Sequence, residues 1–242
     1  MPIWNTLARA DTAAGDEILL RERGSLYEIR FNGLELMSNL NHQSETLLAE
    51  RSLRLHDRHD ARVLIGGLGM GFTLRAALEL LGPAAQVAVC ELIPEIADWN
   101  RGRIGHLAGH PLRDPRVTLR VADVMEVLLE HRAGFDVILM DTDNGPDFTV
   151  RPANGRLYGQ GGLAVLRKAL RPGGIAAFWS ATVSDPFERA LDSQPWHWRR
   201  DDIQLVGGRA DAFHHIYLTS ADPARIGLRP EPAAASPELA PT

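Results

Sequence analysis

Arg62-Val63-Leu64-Ile65 runs directly into Gly66-Gly67-Leu68-Gly69-Met70-Gly71, and Phe72-Thr73-Leu74-Arg75-Ala76-Ala77 follows with helical character. A strand, a glycine cluster and a helix in that order confine the chain to a βα turn. Its backbone can take unusual φ values and let a ligand approach closely. The same alternation continues downstream. Apolar strand cores fall at 62–66, 86–90, 117–121, 135–140 and 174–179, with helical stretches at 72–81, 94–104, 123–131 and 160–170 between them. Short, nearly continuous apolar strands are buried on both faces, which predicts an α/β fold with a mainly parallel sheet covered by helices. Two further strands, 202–206 and 213–219, joined by a short loop, predict an antiparallel pair at the C-terminal side.

The region before the alternation differs. Ile18-Leu19-Leu20, Leu26 to Phe31 and Leu34 to Met37 are separated by Arg23-Gly24-Ser25 and Asn32-Gly33. Asn-Gly between apolar runs predicts a hairpin, because both residues tolerate positive φ. A helix is expected over 42–54, with Leu47, Leu48 and Leu53 along one side and Ser44 or Asn41 as its cap. Residues 221–242 are rich in Ala and Pro without periodicity, which predicts a disordered tail. The expected organisation is therefore a small β-hairpin and helix extension at 1–56, an α/β domain at 57–220, and the tail.

At 242 residues the chain suits one domain with an appendage. Its net charge of −5 argues against a nucleic-acid partner. No segment approaches the roughly 18 apolar residues of a membrane span. The lone Cys90 lies in an apolar run and cannot form an internal disulfide. A cytoplasmic protein with a small-molecule substrate is expected. His56-x-x-His59 resembles a metal-ligand cluster, but its neighbours Asp57 and Asp60 fit a solvated connection, and no metal is expected.

The acids that end the strands carry the chemistry. Glu91 closes the second strand about twenty positions after the glycine turn, where a carboxylate can accept hydrogen bonds from both ribose hydroxyls. The spacing Gly67-x-Gly69-x-Gly71, with Phe72 at the third place of a dinucleotide pattern, fits a nucleoside without a pyrophosphate better than a nicotinamide dinucleotide. Val121-Ala122-Asp123 ends the third strand and Phe135 to Asp141 forms the fourth. Leu170-Arg171-Pro172-Gly173-Gly174-Ile175 reads as a helix end, a turn and the start of the fifth strand.

Together these motifs resemble the Rossmann-like class I S-adenosylmethionine-dependent methyltransferase fold. More closely, over residues 17–182, they resemble the spermidine synthase family of aminopropyltransferases. The supporting pieces are the N-terminal hairpins, Gly67 to Arg75, Asp141, and Leu157-Tyr158 before the helix that leads to Pro172-Gly173-Gly174. The resemblance implies five parallel strands in the order 3-2-1-4-5, extended by an antiparallel pair. It implies S-adenosylmethionine or its decarboxylated form as the bound nucleoside. The residues carried over for that ligand are Gly66, Gly67, Leu68, Gly69, Gly71, Glu91, Leu92, Asp123, Val124 and Gln43. Asp141 is the catalytic candidate, with Asp143, Asn144, Tyr158 and His42 towards the substrate. The exposed hairpin strands would suit a homodimer.

The chain departs from the family at telling places. Met70 stands where the family's glycine turn carries an aspartate that holds the donor amine. Asp141-Thr142-Asp143-Asn144 keeps the first acid of a D-x-x-D motif and has asparagine at the last position. His42-Gln43 takes the place of a Tyr-Gln pair, and the family's later substrate-binding tyrosine has no counterpart. These losses put methyl transfer from full S-adenosylmethionine to a small molecule, an amine, first among the readings. Aminopropyl transfer from the decarboxylated donor is the alternative, and a nucleoside-binding sensor or partner subunit without catalysis the third.

Overall fold

The computed structural model describes residues 3–12, 15–142, 144–149, 152–206 and 212–227. Four strands, β1 (Asn5–Asp11), β2 (Glu17–Arg23), β3 (Leu26–Phe31) and β4 (Leu34–Ser38), form an antiparallel sheet in chain order. Asn32 and Gly33 turn β3 into β4 with φ of 48° and 79°, the geometry that makes Asn-Gly a hairpin signal. β1 is absent from the sequence reading because Asn-Thr-Leu-Ala-Arg-Ala-Asp buries only Ala10 fully. It is an edge strand, held by its ladder to β2 rather than by apolar content.

The second layer starts with α1 (Gln43–His56). It continues through β5 (Arg62–Gly66), α2 (Phe72–Leu80), β6 (Gln86–Glu91), α3 (Pro94–Arg101), β7 (Val117–Val121), α4 (Val124–Glu130) and β8 (Phe135–Met140). It closes with α5 (Gly155–Tyr158), α6 (Gln160–Ala169), β9 (Leu170–Ser180), α7 (Asp185–Asp192), β10 (His197–Gln204), β11 (Phe213–Ser220) and α8 (Pro223–Ile226). The seven strands of this sheet lie in the order β10-β11-β9-β8-β5-β6-β7. The pairings from β7 across to β9 are parallel, and β11 runs antiparallel to both β9 and β10. The winding reverses between β5 and β8, so the carboxyl ends of those strands open a crevice.

Three apolar clusters hold the layers. One packs α1 and α2 on one face of the large sheet, through Leu48, Leu53, Leu74 and Ala77 against Val63, Val137 and Ala177. A second packs α4, α6 and α7 on the other face, through Leu128, Leu166 and Phe187 against Leu64, Ile138 and Phe178. The third joins the small sheet to the glycine turn and α3: Ile18, Leu20, Ile29 and Phe31 meet Met70, Phe72, Ile93 and Ile96.

Several boundaries differ from expectation. The helix grouped with the N-terminal extension, α1, packs on the large sheet, because its stripe of Leu48, Ala49 and Leu53 faces that core. β10 begins at His197 rather than 202: Trp198 and Ile203 are buried in opposite cores, while the charged residues between them mask the strand in the sequence. α7, capped by Ser184 accepting from the Phe187 N–H at 3.3 Å, was unexpected. Residues 221–227, assigned by sequence to the tail, pack on the domain through buried Ile226, and Arg225 binds the Leu55 carbonyl at 2.9 Å. Residues 228–242 lie outside the described residues. The Pro-Gly-Gly turn sits inside β9: Phe135 pairs with Leu170 and Val137 with Ile175, so Arg171 to Gly174 bulge outward. Among the described residues no helix is long and apolar enough to cross a membrane.

A buried carboxylate ties the sheet's other end. Asp136 accepts from the Arg62 N–H at 2.8 Å and from Arg171 at 2.9 Å. Asp136→Ala would leave the Arg62 amide without its partner. We expect it to lower stability by about 1–3 kcal/mol in urea unfolding, the usual range for a stranded buried group.

Candidate active site

The ends of β5, β6 and β8 are stitched together at the glycine turn. The Asp141 N–H donates to the Gly66 carbonyl at 2.8 Å, and the Gly67 N–H donates to the Cys90 carbonyl at 2.8 Å. Gly67 has a φ of +90°, and a Cβ on it would collide with the Asp141 carbonyl. Only glycine fits both demands. Asn100, from α3, donates its side-chain amide to the Gly69 carbonyl at 2.7 Å and steadies the turn from behind. Nothing in the local sequence spacing marks Asn100 as a support.

A cleft opens over this turn. Gly67 and Gly69 line it, together with Glu91, Leu92, Asp123 and Val124. Asp141 and Asn144 also line it, with Glu45 of α1, Leu36 and Met37 of β4, and Trp179 of β9. Of the residues expected at the ligand, Gly66, Leu68 and Gly71 shape the turn without lining the cleft. The Leu68 side chain belongs to the core, and Gly71, at a φ of +85°, begins α2. Asp143 lies outside the described residues.

Three expectations are corrected. Gln43 does not reach the cleft, because its side-chain oxygen accepts from the Val206 N–H at 3.0 Å on another face of α1. His42 stacks on Phe72, ring centroids 4.1 Å apart, and does not line the cleft. Tyr158 is buried beside Phe178 and Phe187, with its hydroxyl 3.1 Å from Thr142 Oγ1, so it supports the Asp141-Thr142 segment from behind.

Glu91 is buried, and its two oxygens accept the Leu68 N–H at 3.1 Å and the Ile93 N–H at 2.9 Å. Burial raises its pKa, and backbone amides partly offset that. Glu91 also lines the cleft, where a carboxylate can accept from ligand hydroxyls. Asp123 caps α4 by accepting from the Met125 N–H at 2.8 Å and pairs with Arg156 of α5. Cys90 lines the cleft beside them with its thiol pushed up to about 12 by burial, and it is unreactive there.

The opposite end holds a second carboxylate that the sequence reading missed. Burial raises the pKa of Asp141, and the nearby charge of Glu45 raises it further, to about 7, against a hydrogen bond from Thr73 at 2.6 Å. Glu45 is also raised, chiefly by burial, while Ser44 donates to it at 2.7 Å. Ser44 Oγ in turn lies 2.8 Å from His214 Nδ1. His214 is pushed down to about 4 by burial and then by His215, so it is neutral at pH 7. Neither carboxylate forms an ion pair among the described residues. The signal for Glu45 was present: it shares the buried face of α1 with Leu48, Ala49, Ser52 and Leu53, where an acid is out of place unless it has a task.

Met70 does not take the role of a ligand acid. Its side chain is fully buried in the small-sheet core, and its N–H donates to Met37 Sδ at 3.0 Å. The residue that replaces the family's aspartate thus docks the N-terminal sheet.

The model of the spermine/spermidine synthase domain matches residues 43–185. A stretch of 115 residues is 31% identical to a spermidine synthase from Dictyostelium discoideum, covering 47% of this chain and 38% of that protein. A stretch of 116 residues is 33% identical to a polyamine aminopropyltransferase from Mycobacterium tuberculosis, covering 47% of this chain and 21% of that one. The match therefore spans less than half the length of these curated relatives. Among solved structures, a spermidine synthase in complex with the transition-state analogue AdoDATO is similar over 90% of this chain and 74% of that one. Its TM-score is 0.75 at 18% identity, a likeness of fold. Spermidine synthase from Thermotoga maritima is similar at a TM-score of 0.72, with 18% identity, over 90% of this chain and 73% of that one. The glycine turn, the acids at the strand ends and the extent of the family match together establish that this chain belongs to the spermine/spermidine synthase family.

Proposed function

We propose that the chain transfers an aminopropyl group from decarboxylated S-adenosylmethionine to an amine. The carrying observation is the pair Glu45 and Asp141, two carboxylates close enough to raise Asp141, lining one cleft with no cationic side chain among its described lining residues. Desolvated like charges are costly unless a cation joins them. A donor amine and an acceptor ammonium are cations of the right kind. Family membership supports aminopropyl transfer over the methyl transfer that the sequence alone put first. The loss of the loop acid at Met70 weighs less against it, because Glu45 supplies a carboxylate from α1 instead. A carboxylate-bearing donor tail would meet two acids there, which disfavours full S-adenosylmethionine.

The cleft suits the nucleoside on this chain's own features: bare backbone at Gly67 and Gly69, and the Glu91 carboxylate in the lining beside them. The bound donor supplies a sulfonium, and the amine's lone pair forms a bond to the adjacent carbon as the C–S electrons leave on sulfur. Asp141 takes the proton that the acceptor ammonium must lose. A base with a pKa near neutrality is well matched to that work. Thr73 holds the Asp141 carboxylate in place, and Ser44 holds Glu45.

Calorimetry and product analysis test this reading. The decarboxylated donor should bind more tightly than S-adenosylmethionine, and mass spectrometry should find the aminopropylated amine. Tighter binding of the full donor with methylated product would overturn the proposal. Glu91→Ala should weaken binding of 5′-methylthioadenosine by about 1–3 kcal/mol, because the ribose hydroxyls lose their acceptor.

Asp141 also makes two pH predictions. Its carboxyl must ionise to accept a proton, so turnover should rise with pH through about 7. Glu45→Gln should move that rise to lower pH by removing a neighbouring charge. Stability runs the opposite way. A folded pKa raised above the unfolded value favours the fold at low pH, and this contribution is lost as pH rises through about 7. Asp141→Asn should therefore raise the melting temperature at pH 8 and leave it nearly unchanged at pH 4, while turnover falls by about 10²-fold or more.

A further inference from the structure

Next to the donor cleft lies a second cavity of about 690 Å³, and the two share Leu36, Met37, Glu45, Asn144 and Trp179. That size lies within the roughly 300–1,000 Å³ of small-molecule sites. On the reading of the cleft as an aminopropyl-transfer site, the acceptor enters here. Its nitrogen belongs at the shared wall, by Glu45, and the rest of the molecule extends into the cavity.

Away from that junction, Phe31, Leu34, Leu40, Phe148 and Ala181 give most of the wall, with the uncharged Asn32, Ser38, Asn41 and Thr149 between them. Leu34, Leu40 and Phe148 are 74%, 78% and 61% exposed, and each would gain by covering an apolar ligand. Asn144 and His214 also line this cavity, and His214 is neutral at pH 7. Apart from Glu45, the carboxylate among the described lining residues is Glu35, which is exposed. An exposed ion pair contributes little. Desolvating a second ammonium against apolar walls costs more than that.

We infer that the acceptor is an amine with one positive charge and an apolar body, aromatic or branched aliphatic, rather than an aliphatic diamine. The single charge sits at Glu45 and Asp141, and the body covers Leu40, Phe148 and Trp179.

Calorimetry on the full chain saturated with 5′-methylthioadenosine tests this, with phenethylamine and 1,4-diaminobutane as probes. Phenethylamine should bind at least tenfold more tightly. The exposed double substitution Leu40→Asp with Phe148→Asp should shrink that preference or reverse it, with the nucleoside affinity retained. Equal or tighter binding of the diamine, no binding of either amine, or an unchanged preference in the double variant would each overturn the acceptor assignment while leaving the donor reading intact. Failure of the nucleoside itself to bind would overturn the donor reading and the assignment with it.

Discussion

The backbone at Gly66-Gly67 passes between the ends of β6 and β8 with no room for a side chain. The Gly66 carbonyl takes the Asp141 amide, and the Gly67 amide gives its hydrogen to the Cys90 carbonyl. This crossing fixes where the neighbouring strands deliver their acids. Glu91 follows one residue after Cys90, and Asp141 is itself one of the bonded residues. Any Cβ at Gly67 would push β8 away and separate Asp141 from the turn. The N-terminal sheet depends on the same turn. Met70 leaves it to enter the small-sheet core, and Met37 of β4 accepts the Met70 amide. One tight turn therefore aligns the Glu91 end of the cleft, the acidic end and the β-sheet beside them.

The acidic end works against folding. Burial raises both carboxylates, the charge of Glu45 raises Asp141 further, and each hydroxyl beside them, Thr73 and Ser44, offsets only part of that cost. A fold keeps such a pair where a cation is to be bound or a proton is to be moved. The second cavity adds a division of labour. Glu45 lies in the wall it shares with the first cleft, and apolar surface including Leu40 and Phe148 lies beyond. Affinity from the apolar walls can then position an amine whose nitrogen sits at the acids.

Much of this was legible in the chain. The βα alternation and the continuous apolar strands dictated the parallel sheet, and Asn32-Gly33 dictated a hairpin. Glu91, Asp123 and Asp141 were readable because a strand end fixes a residue's place relative to a glycine turn. Helix faces were harder. Reading α1 through a family pair put weight on His42-Gln43, but those side chains face Phe72 and Val206. The phase of the buried stripe selects Glu45 instead, two residues on. Met70 departs visibly from the family pattern, but its fate depends on a distant sheet that no local pattern reveals. Likewise β1 and the first half of β10 are strands by virtue of their partners, with sequences too polar to announce them.

The central claim is that Glu45 and Asp141 form one cation site at the end of a nucleoside cleft. A crystal structure with 5′-methylthioadenosine and an amine bound tests it most directly. The account predicts the ribose hydroxyls on Glu91 and the ammonium within hydrogen-bond distance of both Glu45 and Asp141. An ammonium held elsewhere, with the two carboxylates facing only Ser44 and Thr73, would contradict it.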